Sequence, residues 1–287
     1  MSIRKMIQVA SSRSPPDEGR EIPLLFVHGM WEGPWVWKGY LDFFSSYGYT
    51  CHALSLRGHD GSKPVSDIGK VSIHDYVADA RAIAEELNNP VLIGHSMGGL
   101  LVQKLAELLD PPAIVAITPA APRGIFALKT WALFKAALRH SPDIFLGRPL
   151  MPSKAAMIRL ELNRLPPEEQ DRIYSLQMSE SGRQTFDIAV KGLPVDASKV
   201  QCPVLVIGAT EDQITAAKMV RKIARKYHAD YKEYNGFAHM IVLEPGWERV
   251  AEDIAIWLEK SIQMAGAGGA RYRPTVPSAQ FFGGISD

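Results

Sequence analysis

Residues 90–99, Pro90-Val91-Leu92-Ile93-Gly94-His95-Ser96-Met97-Gly98-Gly99, constrain the fold more than any other part of this chain. A short apolar run enters the pattern G-x-S-x-G and leaves into helical spacing over residues 97–109. A strand passes into a helix over so few residues only through a tight, strained turn. Small residues must flank the serine, because side chains at Gly94 and Gly98 would meet the neighbouring chain. Such a turn holds the serine oxygen clear at the end of a sheet. It also aims backbone N–H groups and the positive end of a helix dipole at an incoming oxyanion. The arrangement suits a nucleophile, and Ser96 is the first candidate catalytic residue.

The rest of the chain supplies a sheet for that turn. Apolar runs at residues 22–27, 50–54, 113–118 and 204–207 are short and continuous, as expected of strands buried on both faces. Residues 3–9 and 230–234 give a first and a last strand. Helical spacing marks residues 35–47, 73–87, 97–109, 215–227 and 250–262. The alternation predicts an α/β fold, a mostly parallel sheet flanked by helices. It breaks between residues 121 and 195, where no strand is expected and helical pieces fall at 125–138, 153–165 and 167–178. An insertion between two strands of one sheet reads as a helical cap over the strand ends, where open α/β sheets bind ligands. The expected division is residues 1–120 and 196–262 for the core, and 121–195 for the cap. Residues 263–287, rich in Gly, Ala, Ser and Pro, read as a flexible tail, with a docked segment built on Phe281-Phe282 as the alternative.

Composition excludes several function classes. With a formal net charge of +1 there is no global field to recruit nucleic acid or an anionic membrane. No apolar run is long enough to cross a bilayer, and no signal-peptide core follows the first charges, so a cytoplasmic location is expected. The two cysteines, Cys51 and Cys202, lie beside strands and read as buried free thiols rather than a disulfide framework or a zinc site. No metal and no cofactor is expected, and the partner is a small-molecule substrate.

A serine hydroxyl is a poor nucleophile until a base takes its proton. Of eight histidines, His239 is singled out by position: it lies in the loop Asn235-Gly236-Phe237-Ala238-His239 after the last strand. Asp212 follows the strand at 204–207 and is the candidate acid that fixes the imidazole. The order Ser96, Asp212, His239 is the one this elbow type requires. The loop after the preceding strand, Thr118-Pro119-Ala120-Ala121-Pro122-Arg123, has no carboxylate. Glu211 is the nearest competitor, and Asp196 reads as a linker residue. Gly29, in His28-Gly29-Met30-Trp31, lets its loop turn so that a backbone N–H faces Ser96. The oxyanion hole is then formed by the N–H groups of Met30 and Met97, with Trp31 the alternative donor. His28 reads as a brace for the loop and His95 as a packing neighbour.

Over residues 20–262 the chain resembles the α/β-hydrolase superfamily. The matching pieces are Leu25-Phe26-Val27-His28-Gly29, Leu56-Arg57-Gly58-His59-Asp60-Gly61-Ser62, Gly94-His95-Ser96-Met97-Gly98-Gly99, the run 208–212 and the run 236–239. The resemblance implies an eight-stranded, mostly parallel sheet with a helical cap after strand six and a Ser-Asp-His triad. Two features depart from it: little chain is left for the usual first hairpin, and Ser55 stands where an acidic residue often precedes Arg-Gly-His. Branches with an aspartate nucleophile, such as haloalkane dehalogenases and epoxide hydrolases, are excluded by Ser96.

The chemistry implied is hydrolysis of an ester-type bond (carboxylester, thioester or lactone) through an acyl-enzyme, as in a serine carboxylesterase. Cap residues Phe126, Trp131, Phe134, Met151 and Met157, with Trp31, are the candidate pocket for a small to medium apolar substrate. The bland alternative is that such residues, with Leu128, Leu133, Phe145 and Ile158, hold the cap helices together. Two other functions stay open: a non-hydrolytic reaction on the same triad (lyase, cofactor-free oxygenase, perhydrolase or acyltransferase), and a ligand-binding receptor on a hydrolase scaffold.

Overall fold

A computed structural model of the chain describes residues 8–12, 22–62, 64–125 and 138–267. The apolar runs form β2 (Leu24–Val27), β3 (Cys51–Ser55), β4 (Val91–His95), β5 (Ile114–Ile117) and β8 (Val204–Ala209), joined by β9 (Asp230–Tyr234). These six are parallel, and β1 (Gln8–Ser12) pairs antiparallel with β3 at one edge. The order across the sheet is β1-β3-β2-β4-β5-β8-β9, so β4 and its serine lie in the middle.

Alternation along each strand sorts side chains onto two faces. Leu24, Phe26, Val91, Ile93, Val115, Ile117, Leu205 and Ile207 face one way. There they meet α1 (Lys38–Ser46) and α9 (Trp247–Ala267) through Tyr40, Phe44, Val250, Ile254 and Leu258. Leu25, Val27, Leu92, Ile114, Ala116, Val204 and Val206 face the other way. Their partners are α2 (Ile73–Glu86), α3 (Met97–Leu109) and α8 (Ala217–Lys226). Both faces are covered, which is why the strands read as unbroken apolar runs. Each fully buried large side chain, Phe26 or Leu92 for instance, contributes roughly 1.5–3 kcal/mol. Helix α2 starts where the sequence supplies a capping box: the Ser72 hydroxyl accepts from the Asp75 N–H, and the Asp75 carboxylate accepts from the Ser72 N–H.

Between β5 and β8 the chain makes a long excursion. It contains α4 (Ser141–Leu146), β6 (Pro149–Leu150), α5 (Lys154–Leu160), α6 (Pro167–Leu176), β7 (Glu180–Ser181) and α7 (Gly182–Phe186). Its entry and exit are tied together: the Arg123 N–H donates to the Leu193 carbonyl at 2.8 Å, and the Arg123 guanidinium donates to the carbonyls of Lys191 and Gly192. The excursion fastens to loops at the C-terminal ends of three strands. After β2, the Trp31 indole donates to the Leu150 carbonyl, and the Trp31 carbonyl accepts from the Met178 N–H. After β3, His59 pairs with Glu180 at 3.2 Å, a carboxylate that also accepts from the Tyr76 hydroxyl at 2.7 Å. After β9, Arg164 donates to the Gly236 carbonyl at 2.9 Å.

The structure bears on three expectations. Of the strand expected at 3–9, residues 8 and 9 belong to β1, which runs on to Ser12, and residues 1–7 lie outside the described residues. The excursion does contain strands, but β6 and β7 are an antiparallel pair of two residues each, too short to show periodicity. Of the eight strands that the resemblance implies, seven lie in the main sheet among the described residues, and residues 1–7 and 13–21 lie outside them. In addition, α9 continues to Ala267, past the expected end at 262. The helix expected at 125–138 and the tail beyond 267 fall almost wholly outside the described residues, as do Phe126, Leu128, Trp131, Leu133 and Phe134.

Candidate active site

Ser96 sits between the last residue of β4 and the first of α3, with φ +52° and ψ −115°. A non-glycine residue there carries strain on the order of 1–3 kcal/mol. Three backbone bonds hold it: the Ser96 N–H donates to the Ile117 carbonyl at 3.0 Å, and its carbonyl accepts from Ala120 and Leu100. The glycines at the turn are required by space. A Cβ on Gly94 would lie 2.2 Å from the Gly98 carbonyl oxygen, and one on Gly98 would lie 2.1 Å from that of Val27.

Ser96 Oγ is 2.9 Å from His239 Nε2, and His239 Nδ1 is 2.9 Å from Asp212 Oδ2. The three residues come from the loops after β4, β9 and β8. An ionised Asp212 can only accept, so Nδ1 carries the proton and Nε2 presents its lone pair to the serine hydroxyl. Asp212 is buried and fully engaged: Oδ1 accepts from the Ile214 and Thr215 N–H groups at 2.7 and 2.8 Å, and Oδ2 accepts from the Thr215 hydroxyl. Burial alone would raise its pKa, but the His239 charge and the bonds from His239 and Thr215 hold it below the ordinary carboxylate range.

The loops carrying Asp212 and His239 are fastened to each other. The Glu211 N–H donates to the Phe237 carbonyl at 2.9 Å, and the Gly236 N–H donates to the Thr210 hydroxyl at 3.0 Å. The Ala238 N–H donates to Glu244 at 2.8 Å. Burial, opposed by that bond, pushes the Glu244 carboxyl up to about 7. The competitor Glu211 points elsewhere, its half-exposed carboxylate facing Arg164 at 3.5 Å. Asp196 caps the short turn Ala197–Lys199.

On the β2 side, His28 braces the loop as expected. Its Nε2 accepts from the Leu56 N–H and its Nδ1 donates to the Gly29 carbonyl. Burial, then the nearby His59, push its pKa down to about 4. Gly29 abuts the nucleophile, since a Cβ there would meet Ser96 Cβ at 3.0 Å. Met97 is the first residue of α3, so its N–H has no intrahelical acceptor. Met30 and Trp31 follow Gly29, and Trp31 adopts φ +61°.

Of the candidate pocket residues, Trp31 is half-buried and bonded to Leu150, and Met151 is half-buried just past β6. Met157 is buried in an apolar cluster with Leu162, Leu165 and Ile173, as a helix-packing residue would be. Several buried polar groups escaped the sequence reading. His95 is more than a packing neighbour: Nδ1 lies 2.9 Å from Glu32 Oε1, and Nε2 donates to the His239 carbonyl at 2.8 Å. Thr118 donates to the same carbonyl. Glu161, buried in the excursion, accepts from Gln177, and burial pushes its pKa up. The one available signal was a charge, Glu32, set among tryptophans and glycines.

Residues 24–253 match the model of the alpha/beta hydrolase family. The chain belongs to that family. The protein is accordingly an enzyme of the α/β-hydrolase class. It is 25% identical to the (E)-2-((N-methylformamido)methylene)succinate hydrolase of Acinetobacter baylyi over 90% of this chain and 98% of that one. It is 27% identical to the non-heme chloroperoxidase of Burkholderia pyrrocinia, over 76% and 84% of the two chains. Among solved structures, the monoacylglycerol lipase of Paleococcus ferrophilus superposes with a TM-score of 0.68 at 24% identity, covering 89% of this chain and 99% of that one. Among the described residues, no helix is long and apolar enough to cross a membrane.

Proposed function

We propose that this α/β hydrolase cleaves an ester-type bond, a carboxylester, thioester or lactone, of a small to medium apolar substrate through an acyl-enzyme on Ser96. The observation that carries the reading is the continuous relay Ser96–His239–Asp212, with 2.9 Å at each junction and every Asp212 oxygen engaged. As Ser96 Oγ attacks the carbonyl carbon, its proton passes to His239 Nε2, and the imidazolium is stabilised by Asp212. The N–H groups of Met30 and Met97 receive the oxyanion, with Trp31 the alternative to Met30. His239 then returns the proton to the leaving oxygen or sulfur. Water, deprotonated by His239, attacks the acyl-serine, releasing the acid and restoring Ser96. Residues 121–195 act as the cap over this site, and residues 1–120 and 196–262 as the core. Trp31 and Met151 border the apolar pocket, and the protein works in the cytoplasm.

The test pairs a short-chain p-nitrophenyl ester with an uncharged phosphonate probe. Ser96→Ala should abolish turnover and labelling while the protein stays folded; turnover at the parental rate would remove Ser96 from the reaction. The chloroperoxidase relative favours one second reading, in which hydrogen peroxide rather than water intercepts the acyl-serine and yields a peracid. Peracid formation from acetate and peroxide would distinguish it.

A further inference from the structure

We propose that Glu32 and His95 form a buried carboxylate–imidazolium pair that positions both the base loop and the oxyanion loop around Ser96. The inference rests on the roles given above to Ser96 and His239. Neither Glu32 nor His95 touches the reacting atoms, so both are positioning residues. They stand on different elements, Glu32 in the loop beyond β2 and His95 as the last residue of β4, and both are buried.

The protonation state follows from the bonding. His239 O, a carbonyl oxygen, only accepts, so His95 Nε2 must carry a hydrogen to meet it at 2.8 Å. Nδ1 faces both Glu32 oxygens, at 2.9 Å from Oε1 and 3.2 Å from Oε2. Oε2 also accepts from the Gly29 N–H at 2.6 Å. An ionised Glu32 needs a hydrogen on Nδ1 too, which makes the ring an imidazolium. The surrounding charges agree. Burial alone would raise the Glu32 pKa, but the His95 charge and bond, with the Gly29 N–H, hold it down. Burial would lower that of His95, and Glu32 raises it instead. The other groups facing the pair are His28 and His59 on the sheet side, Asp212 and His239 from the adjacent loops, Glu161 from the excursion and Glu244 before α9.

The pair is thus a strut with three ends. Glu32 fixes the Gly29 peptide, and with it the direction of the next N–H, on Met30. His95 makes a charge-assisted bond to the backbone of His239, whose ring must stay within reach of Ser96 Oγ. Since both arms meet at the residue preceding Ser96, nucleophile, base and oxyanion donor share one anchor.

Two measurements test this. In protein with 15N-labelled histidine, His95 should show both ring nitrogens protonated at about pH 8, where a free imidazole is mostly neutral. A singly protonated His95 ring at that pH overturns the proposal. Glu32→Gln keeps the shape and an acceptor for Gly29 but removes the charge: its NH2 then faces His95 Nδ1 and donates to it, so the ring is neutral and its bond to the His239 carbonyl loses its charge assistance. It should lower kcat roughly 10- to 100-fold with KM changed less than about threefold, and slow phosphonate labelling in proportion. A folded Glu32→Gln protein with parental kcat overturns the proposal, and if that variant does not fold, the spectrum of the parental protein decides. Should Ser96→Ala retain turnover, the nucleophile assignment fails while the histidine spectrum still reports on the pair.

Discussion

At the residue scale, Ser96 is held in a conformation its own side chain disfavours. Replacing Ser96 with glycine removes the Cβ that makes φ +52° costly, whereas alanine keeps it. Ser96→Gly should therefore be more stable than Ser96→Ala by about 1 kcal/mol. Urea unfolding of the two variants measures this, and equal midpoints would mean that the elbow carries no strain. The acid assignment is also tested here. Asp212→Asn upsets the tautomer that presents the Nε2 lone pair to serine and should reduce kcat on the order of 10⁴-fold. Glu211→Gln, facing Arg164 at the surface, should change it little. The reverse order in steady-state assays would reassign the acid.

At the scale of elements, the excursion is held to the core in part by polar bonds, among them His59–Glu180, a fully buried pair of ionisable side chains. Burial opposes charge on both partners, yet Glu180 raises the His59 pKa and His59 lowers that of Glu180. The raised His59 pKa adds stability that is complete below its unfolded value of about 6.5 and is lost as pH rises through the folded one. The lowered Glu180 pKa adds stability that is complete above its unfolded value of about 4.3 and is lost as pH falls through the folded one. The full contribution therefore lies between about pH 4.3 and 6.5. Glu180→Gln should lower thermal stability by about 3–5 kcal/mol in that window, and by less on either side. Calorimetry across pH reads this directly; a deficit independent of pH would show that the pair is not ionic.

The same scale explains what the sequence reveals. Ser96 and Asp212 are legible because each follows a buried strand, β4 or β8, whose end is marked locally by where an apolar run stops. His239 is legible only from its place in the loop after β9, a largely polar edge strand. Glu32 and His95 are not legible as a pair, because they stand 63 positions apart and meet only when β2 and β4 align. The edge strand β1 carries Ser11 and Ser12, so its pairing with β3 leaves no apolar run to read. The strands β6 and β7 are shorter than one period of any pattern.

At the scale of the whole molecule, parts of the site follow the spatial order of the strands. Strand β2 leads to the loop of Gly29 and Met30, β4 to Ser96, β5 to Thr118, β8 to Asp212 and β9 to His239. These residues thus come from hydrogen-bonded neighbours, and register in the sheet sets their separations. The excursion stands outside that scheme. It leaves and returns at one place, where Arg123 and Leu193 share a backbone hydrogen bond. A segment whose two ends already meet can be exchanged for one of different length without shifting any strand. Residues 124–192 are therefore a natural cassette for grafting: a chimera joined at Arg123 and Leu193 can take a foreign segment on an unaltered chassis.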